Sequence, residues 1–292
     1  MSASDVVLLC VTKNTACHIN SFLDHYRKIG VTRFAFVDDH SNDGTREILL
    51  SAADVDTFES NFTFAQCDGG LIWRDILVGL YGRDRWYLSV DSDEYLIYPG
   101  CEKRPIGDFI SDVERTGLKR ALAPMIDLYG DCPLGATEPH FPPNAPPTNF
   151  CPLFDGDGYL LTNETQCTAV HGGPRKRVFG ADMLLTKFPL LFADEETQFN
   201  GSSHHAPLPL QRNFAPVHAV LLHYKFPAGA IDTFHTIVDR QSHARGSHWY
   251  RAIVESDRFD ETTDLRYVHS QAFAGSEALV ANGYMQDLRR PA

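Results

Sequence analysis

The chain has 292 residues, of which 43% are hydrophobic and 22% charged, a balance typical of a globular protein with one sizeable core or one core plus a small appendage. Its net charge of −12 argues against a broad phosphate-binding surface, so nucleic acid is not expected as a main partner. No stretch approaches the roughly 18–20 apolar residues of a membrane span, and the N-terminus lacks the basic region of a secretion signal. The seven cysteines form no CxxC pair and indicate reduced thiols. We therefore expect a soluble, cytoplasmic protein.

Strands and helices are predicted to alternate through the first half of the chain. Short apolar runs such as residues 6–11 are typical of buried parallel strands, and apolar residues from Ile19 to Ile29 recur at helical spacing before a stop at Gly30. The predicted elements are strands at 6–11, 33–37, 61–66 and 85–90, and helices at 19–29, 45–50 and 71–81. This alternation with short connections indicates an α/β fold with a largely parallel sheet.

The second half of the chain is less regular. The predicted elements are a helix at 108–117, strands at 120–128 and 218–226, and helices at 231–244, 247–256 and 276–282. Seven prolines between residues 133 and 152 exclude a helix or a central strand, so we predict a long loop there. We expect one α/β domain over residues 1–230 and a helical C-terminal extension over 231–292 packed on it.

Polar side chains follow several of the predicted strands at the point where each strand ends. Asn14 follows the first strand, Asp38 and Asp39 follow the second, and Asp91 and Asp93 follow the strand at 85–90. In parallel α/β sheets, ligands bind beyond the carboxyl ends of the strands. The sequence therefore predicts a binding site at this edge of the sheet.

The sequence "VDSDEYL" places Asp91, Asp93 and Glu94 within four positions. In an extended chain, Asp91 and Asp93 point to one face, whereas Ser92 and Glu94 point to the other. Two carboxylates this close repel each other unless a cation lies between them, and Mg²⁺ and Mn²⁺ favour such oxygen ligands. The alternative is a solvated acidic turn, and the residues alone leave both open.

Two further segments offer candidate ligands. His223 closes the apolar strand at 218–226, where a histidine either fills a structural role or binds a metal. Arg175 and Arg177, in "HGGPRKRVFG", could bind phosphate or carboxylate groups, or belong to a solvated basic loop.

Taken together, several segments resemble the GT-A-fold glycosyltransferases, specifically a bacterial branch of family 2. The resemblance extends over roughly residues 6–250 and implies a Rossmann-like domain with a mostly parallel central sheet flanked by helices. The resembling segments are "VTKNTACHINSFLDHYRKIGVTRFAFVDDHSNDGT", "WYLSVDSDEYL", "MIDLYGDCPL", "GGPRKRVF", "LTKFPL", "SSHH" and "LLHYKF".

The resemblance implies a nucleotide-sugar donor, which we expect to be a UDP-sugar. Thr12 and Asn14 match the positions where the family's first strand meets the nucleotide, and Asp39 matches an aspartate that contacts the base or ribose. Thr15 is a departure, because the family usually carries a glutamate there, and any donor contact at that position is in doubt.

The resemblance also implies a Mn²⁺ or Mg²⁺ ion that bridges the donor diphosphate. Asp91 and Asp93 match the DxD motif, and both are candidate metal ligands, with Asp93 the direct ligand and Asp91 nearer the ribose or donor sugar. His223 matches a later histidine that can complete the coordination, and Arg175 and Arg177 would suit diphosphate or acceptor contacts.

The expected reaction is inverting transfer of a sugar to a glycan or other hydroxyl acceptor, with a carboxylate as base. Asp127 is the first candidate for that base, and Glu195 and Glu196 are the second. Two alternatives stay open: a metal-dependent phosphohydrolase of nucleotide sugars, and an inactive sugar-nucleotide-binding protein.

Overall fold

The computed structural model describes residues 6–137, 145–203, 205–241 and 244–290. In this part of the chain the helices are α1 Ile19–Lys28, α2 Thr45–Ser51, α3 Leu71–Tyr81, α4 Ile106–Arg115, α5 Gly173–Phe179, α6 Ala230–Arg240, α7 Ala244–Val254 and α8 Ser276–Ala281. The strands are β1 Val7–Thr12, β2 Arg33–Asp38, β3 Val55–Glu59, β4 Arg85–Asp91, β5 Glu94–Ile97, β6 Arg120–Tyr129, β7 Leu153–Asp155, β8 Leu160–Asn163, β9 Thr168–His171, β10 Thr186–Ala193, β11 Gln198–Ser203, β12 Ala206–Leu208, β13 Val220–His223 and β14 Ser270–Ala272.

The central sheet has the strand order β14-β7-β6-β10-β4-β1-β2-β3. Strand β1 pairs in parallel with β2 and β4, and β2 pairs in parallel with β3. Strand β10 is antiparallel to both β4 and β6, so β6 runs in the same direction as β4. The prediction of an α/β fold with a mostly parallel central sheet flanked by helices is confirmed.

Both faces of the central strand β1 are covered, which explains its uninterrupted apolar sequence. Leu8 packs in a cluster with Phe22 of α1, whereas Leu9 packs in a second cluster with Leu77 of α3. Successive side chains of a strand point to opposite faces, so α1 and α3 lie on opposite sides of the sheet. The polar end of β1, at Thr12, is thereby fixed at the edge of a packed sheet.

Most predicted elements are confirmed within a few residues, but one predicted strand is wrong and one of the alternatives left open for the basic segment is excluded. The third strand is β3, at Val55–Glu59, and not the segment 61–66, which forms a turn. The basic segment after His171 is not a solvated loop; it forms helix α5, with Arg175 buried. The helical periodicity of α5 is not evident in the sequence because the segment begins with glycine and proline. The boundary at residue 230 stays a prediction.

Strand β13 lies between β5 and β6, and this arrangement builds one row of polar side chains. It runs antiparallel to β5, with His223 opposite Glu94, and parallel to β6, with His223 opposite Asp127. Residues in register on neighbouring strands point to the same face of a sheet. Three segments that are distant in sequence therefore present one glutamate, one histidine and one aspartate side by side.

Candidate active site at the carboxyl edge of the sheet

His223 bridges two carboxylates in the buried part of this row. Its Nδ1 atom lies 2.6 Å from Asp127 Oδ1, and its Nε2 atom lies 3.3 Å from Asp93 Oδ2. Burial lowers the pKa of His223, but Asp93 and Asp127 more than offset this, so the pKa is raised above its usual value. Burial raises the pKa of Asp93, but the charge of His223 more than offsets this, so the pKa is lowered.

Asp93, Glu94 and His223 form a group that could hold a metal ion. One ligand atom from each lies within 4.8 Å of the other two. Two carboxylate oxygens and one imidazole nitrogen are a donor set that suits Mn²⁺ and, with fewer protein ligands, Mg²⁺. The hydrogen bond from Nδ1 to Asp127 orients the imidazole so that Nε2 faces Asp93. A carboxylate in the position of Asp127 is the usual second partner of a metal-binding histidine. The residues present therefore fit a divalent cation.

Asp91 belongs to a different cluster, although it was predicted as a metal ligand together with Asp93. Its Oδ1 accepts from Arg74 Nη2 at 2.5 Å, and its Oδ2 lies 2.6 Å from Lys187 Nζ. The chain turns between β4 and β5, and this interrupts the alternation of an extended strand. The carboxylates of Asp91 and Asp93 are consequently held by different partners.

Glu94 was predicted to point to the face opposite Asp91 and Asp93, but the structure brings its carboxylate into the site. The residue is fully buried. Its Oε2 accepts a hydrogen bond from the backbone N–H of Asp91 at 2.9 Å, and its Oε1 lies 2.5 Å from Lys187 Nζ. Burial raises the pKa of Glu94, and Lys187 opposes that shift. Glu94 thus both fixes the turn and faces the candidate metal position.

The residues predicted to contact the nucleotide lie at the ends of β1 and β2. Thr12 is buried and shares a hydrogen bond with Thr15, with 2.7 Å between the two Oγ1 atoms. Asn14 adopts a left-handed backbone with φ of 54°, and its Oδ1 accepts from the Asn42 backbone at 2.9 Å. These contacts tie the β1 end to the loop after β2.

Asp39 is buried at the same edge of the sheet. Its Oδ2 accepts from Lys13 Nζ at 3.0 Å and its Oδ1 from the backbone N–H of Phe64 at 3.1 Å. The Lys13 side chain is 46% exposed, so this ion pair lies at the surface. A ligand could compete with Lys13 for the carboxylate without disrupting the core.

Each of the two arginines predicted to bind phosphate, Arg175 and Arg177, pairs with a buried aspartate. Arg175 donates from Nε and Nη2 to the two oxygens of Asp127, at 2.6 Å and 3.0 Å. Arg177 makes the same bidentate contact with the buried carboxylate of Asp155 and stacks on Tyr267. Both guanidinium groups neutralise buried aspartates.

The residues predicted as candidates for the catalytic base lie in two different parts of the structure. Asp127 is in the site but buried, because its side chain is only 1% exposed and its oxygens accept from Arg175 and His223. Burial raises its pKa, and Arg175 and His223 more than offset that, so the pKa is lowered.

Glu195 and Glu196 follow the end of β10, where Ala193 pairs with Arg85 at the start of β4. Asp91 is at the other end of β4, which puts these glutamates roughly 20 Å from it at 3.3 Å per residue. The structure does not bring them to the site.

Sequence analysis missed two cations that the structure places against Asp91, Arg74 and Lys187. Arg74 lies on the buried face of α3, and Lys187 lies among the buried residues of β10. Each is a charged residue within an otherwise apolar, buried run, and such residues are rarely buried without a partner. That pattern was the available signal; their common partner, Asp91, was not deducible from it.

Comparisons with known proteins add little to this geometry. No family model matches the chain, and no curated protein matches it. Among solved structures, a 4-diphosphocytidyl-2C-methyl-D-erythritol synthase is 11% identical, with a TM-score of 0.30 over 65% of this chain and 75% of that one. A putative glucose-1-phosphate thymidylyltransferase from Bacillus anthracis is 7% identical, with a TM-score of 0.35 over 64% of this chain and 71% of that one. At TM-scores below 0.5 these similarities establish neither the fold nor the activity.

A search of the described helices for a bilayer-spanning segment finds none that is long and apolar enough.

Proposed function

We propose that this chain is a metal-dependent glycosyltransferase of the GT-A type, which moves a sugar from a nucleotide-sugar donor to a hydroxyl acceptor. The observation that carries the proposal is the convergence of Asp39, Asp91 and the Asp93–His223 pair at one edge of a mostly parallel sheet. Ligands bind at this edge in open α/β sheets. The proposed donor is a UDP-sugar.

Each part of the proposed donor has a matching group along this edge. Asp39 would accept from the base or a ribose hydroxyl in place of Lys13. Asp91, held by Arg74 and Lys187, would accept from the ribose or the donor sugar. Asp93 and His223 would bind the Mn²⁺ or Mg²⁺ ion next to the diphosphate.

The chemistry proposed is one displacement at the anomeric carbon. The acceptor oxygen forms the new bond, the bond to the nucleoside diphosphate breaks, and the proton of the acceptor hydroxyl is released to solvent. When bound, the divalent cation supplies positive charge against the diphosphate that departs. Asp127 does not suit the role of base, since both of its oxygens accept from Arg175 and His223. We assign it instead to positioning His223, whose imidazole it orients and whose charge it balances.

Lys225 contributes a further positive charge near Asp93. Burial lowers its pKa, but Tyr250 and Asp93 more than offset this, so the pKa is raised and the ammonium stays charged at neutral pH. Its Nζ hydrogen-bonds the Tyr250 hydroxyl and lies 4.5 Å from the centre of that ring. This fixed charge would favour an anionic diphosphate in the site.

The test is release of UDP from a panel of UDP-sugars in the presence of Mn²⁺, with and without simple sugar acceptors. Asp93→Asn should abolish release, whereas Asp257→Asn, an exposed aspartate on the C-terminal flank, should leave it unchanged. Full turnover by Asp93→Asn would contradict the proposal. Donor consumption that needs no acceptor would point to the phosphohydrolase. Tight donor binding without turnover would point to a binding protein.

A further inference from the structure

Lys187 is a buried cation that lies between the carboxylates of Asp91 and Glu94. Its side chain is 4% exposed, and its Nζ atom lies 2.6 Å from Asp91 Oδ2 and 2.5 Å from Glu94 Oε1. Arg74, 1% exposed, contacts the other oxygen of Asp91 at 2.5 Å. Two cations therefore face two carboxylates, and the four charges cancel.

The position of Lys187 follows from the sheet. It lies on β10, the antiparallel strand between β4 and β6, and pairs with Ala123 of β6 just before a register shift toward Leu190. Neighbouring Thr186 and Phe188 are buried as well. An unpaired lysine in such surroundings would be strongly unfavourable, and so would two uncompensated carboxylates. Each member of the cluster thus stabilises the others.

These contacts decide which carboxylates remain for a divalent cation. Both oxygens of Asp91 are engaged. Glu94 is one of the three groups that could share an ion, but its Oε1 pairs with the Lys187 ammonium and its Oε2 with the Asp91 backbone N–H, which leaves Asp93 and His223. Asp93, by contrast, forms an ion pair with His223, and its side chain is 31% exposed, against 29% for Asp91. The two carboxylates therefore differ in their partners and not in their exposure. Arg74 and Lys187 hold Asp91, whereas Asp93 pairs with His223, which can itself bind a metal.

We propose that Lys187 acts as an internal counter-ion that reserves Asp91 for positioning and limits the site to one divalent ion, bound by Asp93 and His223. The inference rests on the metal site of the proposed function. It assigns to Lys187 a positioning role: the lysine keeps Asp91 and Glu94 from acting as a second pair of metal ligands.

The experiment measures Mn²⁺ binding to the full chain by the electron paramagnetic resonance signal of free Mn²⁺, without nucleotide, so that it does not depend on activity. Wild-type protein should bind one ion. Asp91→Asn should keep the wild-type affinity within about twofold, whereas Asp93→Asn and His223→Gln should each weaken binding tenfold or more. Lys187→Met should bind Mn²⁺ at least tenfold more tightly or bind a second ion, because two carboxylates are released. Lys119→Met, which removes an exposed lysine that is paired with Asp194, is the matched control and should match wild type.

Two results would overturn the inference: loss of affinity in Asp91→Asn as large as in Asp93→Asn, or unchanged binding in a folded Lys187→Met variant. Circular dichroism reports whether Lys187→Met folds, and if it does not, the Asp91→Asn comparison decides. Wild-type affinity in both Asp93→Asn and His223→Gln would instead remove the metal site itself, and with it this part of the proposed function.

Discussion

Asp127 Oδ1 accepts a hydrogen bond from His223 Nδ1 over 2.6 Å, although the two residues are 96 positions apart in the sequence. The same carboxylate receives two hydrogen bonds from Arg175. Asp127 therefore balances the charges of a histidine and an arginine in the interior, and it orients the imidazole toward Asp93. This relationship makes Asp127 a support of the candidate metal site.

Replacing Asp127 by Asn should weaken both the fold and the metal site. The buried guanidinium of Arg175 would lose its counter-ion, at a cost of roughly 3 kcal/mol or more. Loss of such an outer partner of a metal-binding histidine lowers metal affinity about 10–100-fold. Urea unfolding gives the first quantity and Mn²⁺ titration the second.

Asp155→Asn is the matched control, because Asp155 is also buried and also paired with an arginine, Arg177, but does not contact His223. It should be destabilised to a comparable degree while its Mn²⁺ affinity stays at the wild-type value. Equal loss of affinity in both variants would show that the effect of Asp127→Asn comes from general destabilisation.

The double variant Glu195→Gln, Glu196→Gln should retain full activity. Glu196 is 69% exposed and pairs with Arg212, which keeps Asp194 as a second partner. Such exposed pairs contribute little to stability. A steady-state assay of UDP release checks the prediction, and a loss of kcat above tenfold would restore these glutamates as candidates for the base.

The stability of the chain should fall as the pH decreases from about 6.5 toward 4, in part because of His218. Burial lowers the pKa of this histidine to about 4. Between that value and the unfolded pKa of about 6.5, the unfolded chain binds the extra proton, so acid favours unfolding. The contribution at pH 5 is on the order of 2 kcal/mol.

His218→Gln removes that titration. The difference in unfolding free energy between pH 7 and pH 5, measured with urea, should be smaller in the variant than in the wild type by about that amount. The variant's stability at pH 7 serves as its own reference. Equal pH dependence in the two proteins would contradict the assignment.

Gly70→Ala should be destabilising and should disturb the site. Gly70 has a φ of 79°, and an added Cβ would lie 2.9 Å from Arg74 Nη1 and 3.0 Å from Val11 Cγ2. The backbone conformation alone costs an alanine about 1–2 kcal/mol. Displacement of Arg74 would also loosen its contact with Asp91. Thermal unfolding together with donor titration measures both effects.

Gly79→Ala, in the exposed part of helix α3, which Gly70 immediately precedes, is the opposite case. No atom lies within 4 Å of the added Cβ, and the backbone is helical. Alanine should stabilise this helix by up to about 1 kcal/mol. If both glycine variants were equally destabilised, close packing at Gly70 would not be the cause.

The sequence was sufficient for strands β1, β2 and β4 of the parallel part of the sheet and for the polar cluster at their carboxyl ends. The apolar run of β1 and the periodicity of α1 and α3 reflect burial along one element, which short-range patterns record directly. Polar residues after strands β1, β2 and β4 then indicated the ligand-binding edge, because parallel strands end on the same side.

The partners within the site were decided by tertiary structure alone. Insertion of β13 between β5 and β6 sets His223 beside Glu94 and Asp127, and β10 carries Lys187 to Asp91. Strand order and register bring these residues together across long separations in sequence, and local patterns carry no record of either. For that reason the sequence by itself determined that acidic residues cluster at this edge, whereas only the folded chain decided which cationic side chains pair with each of them.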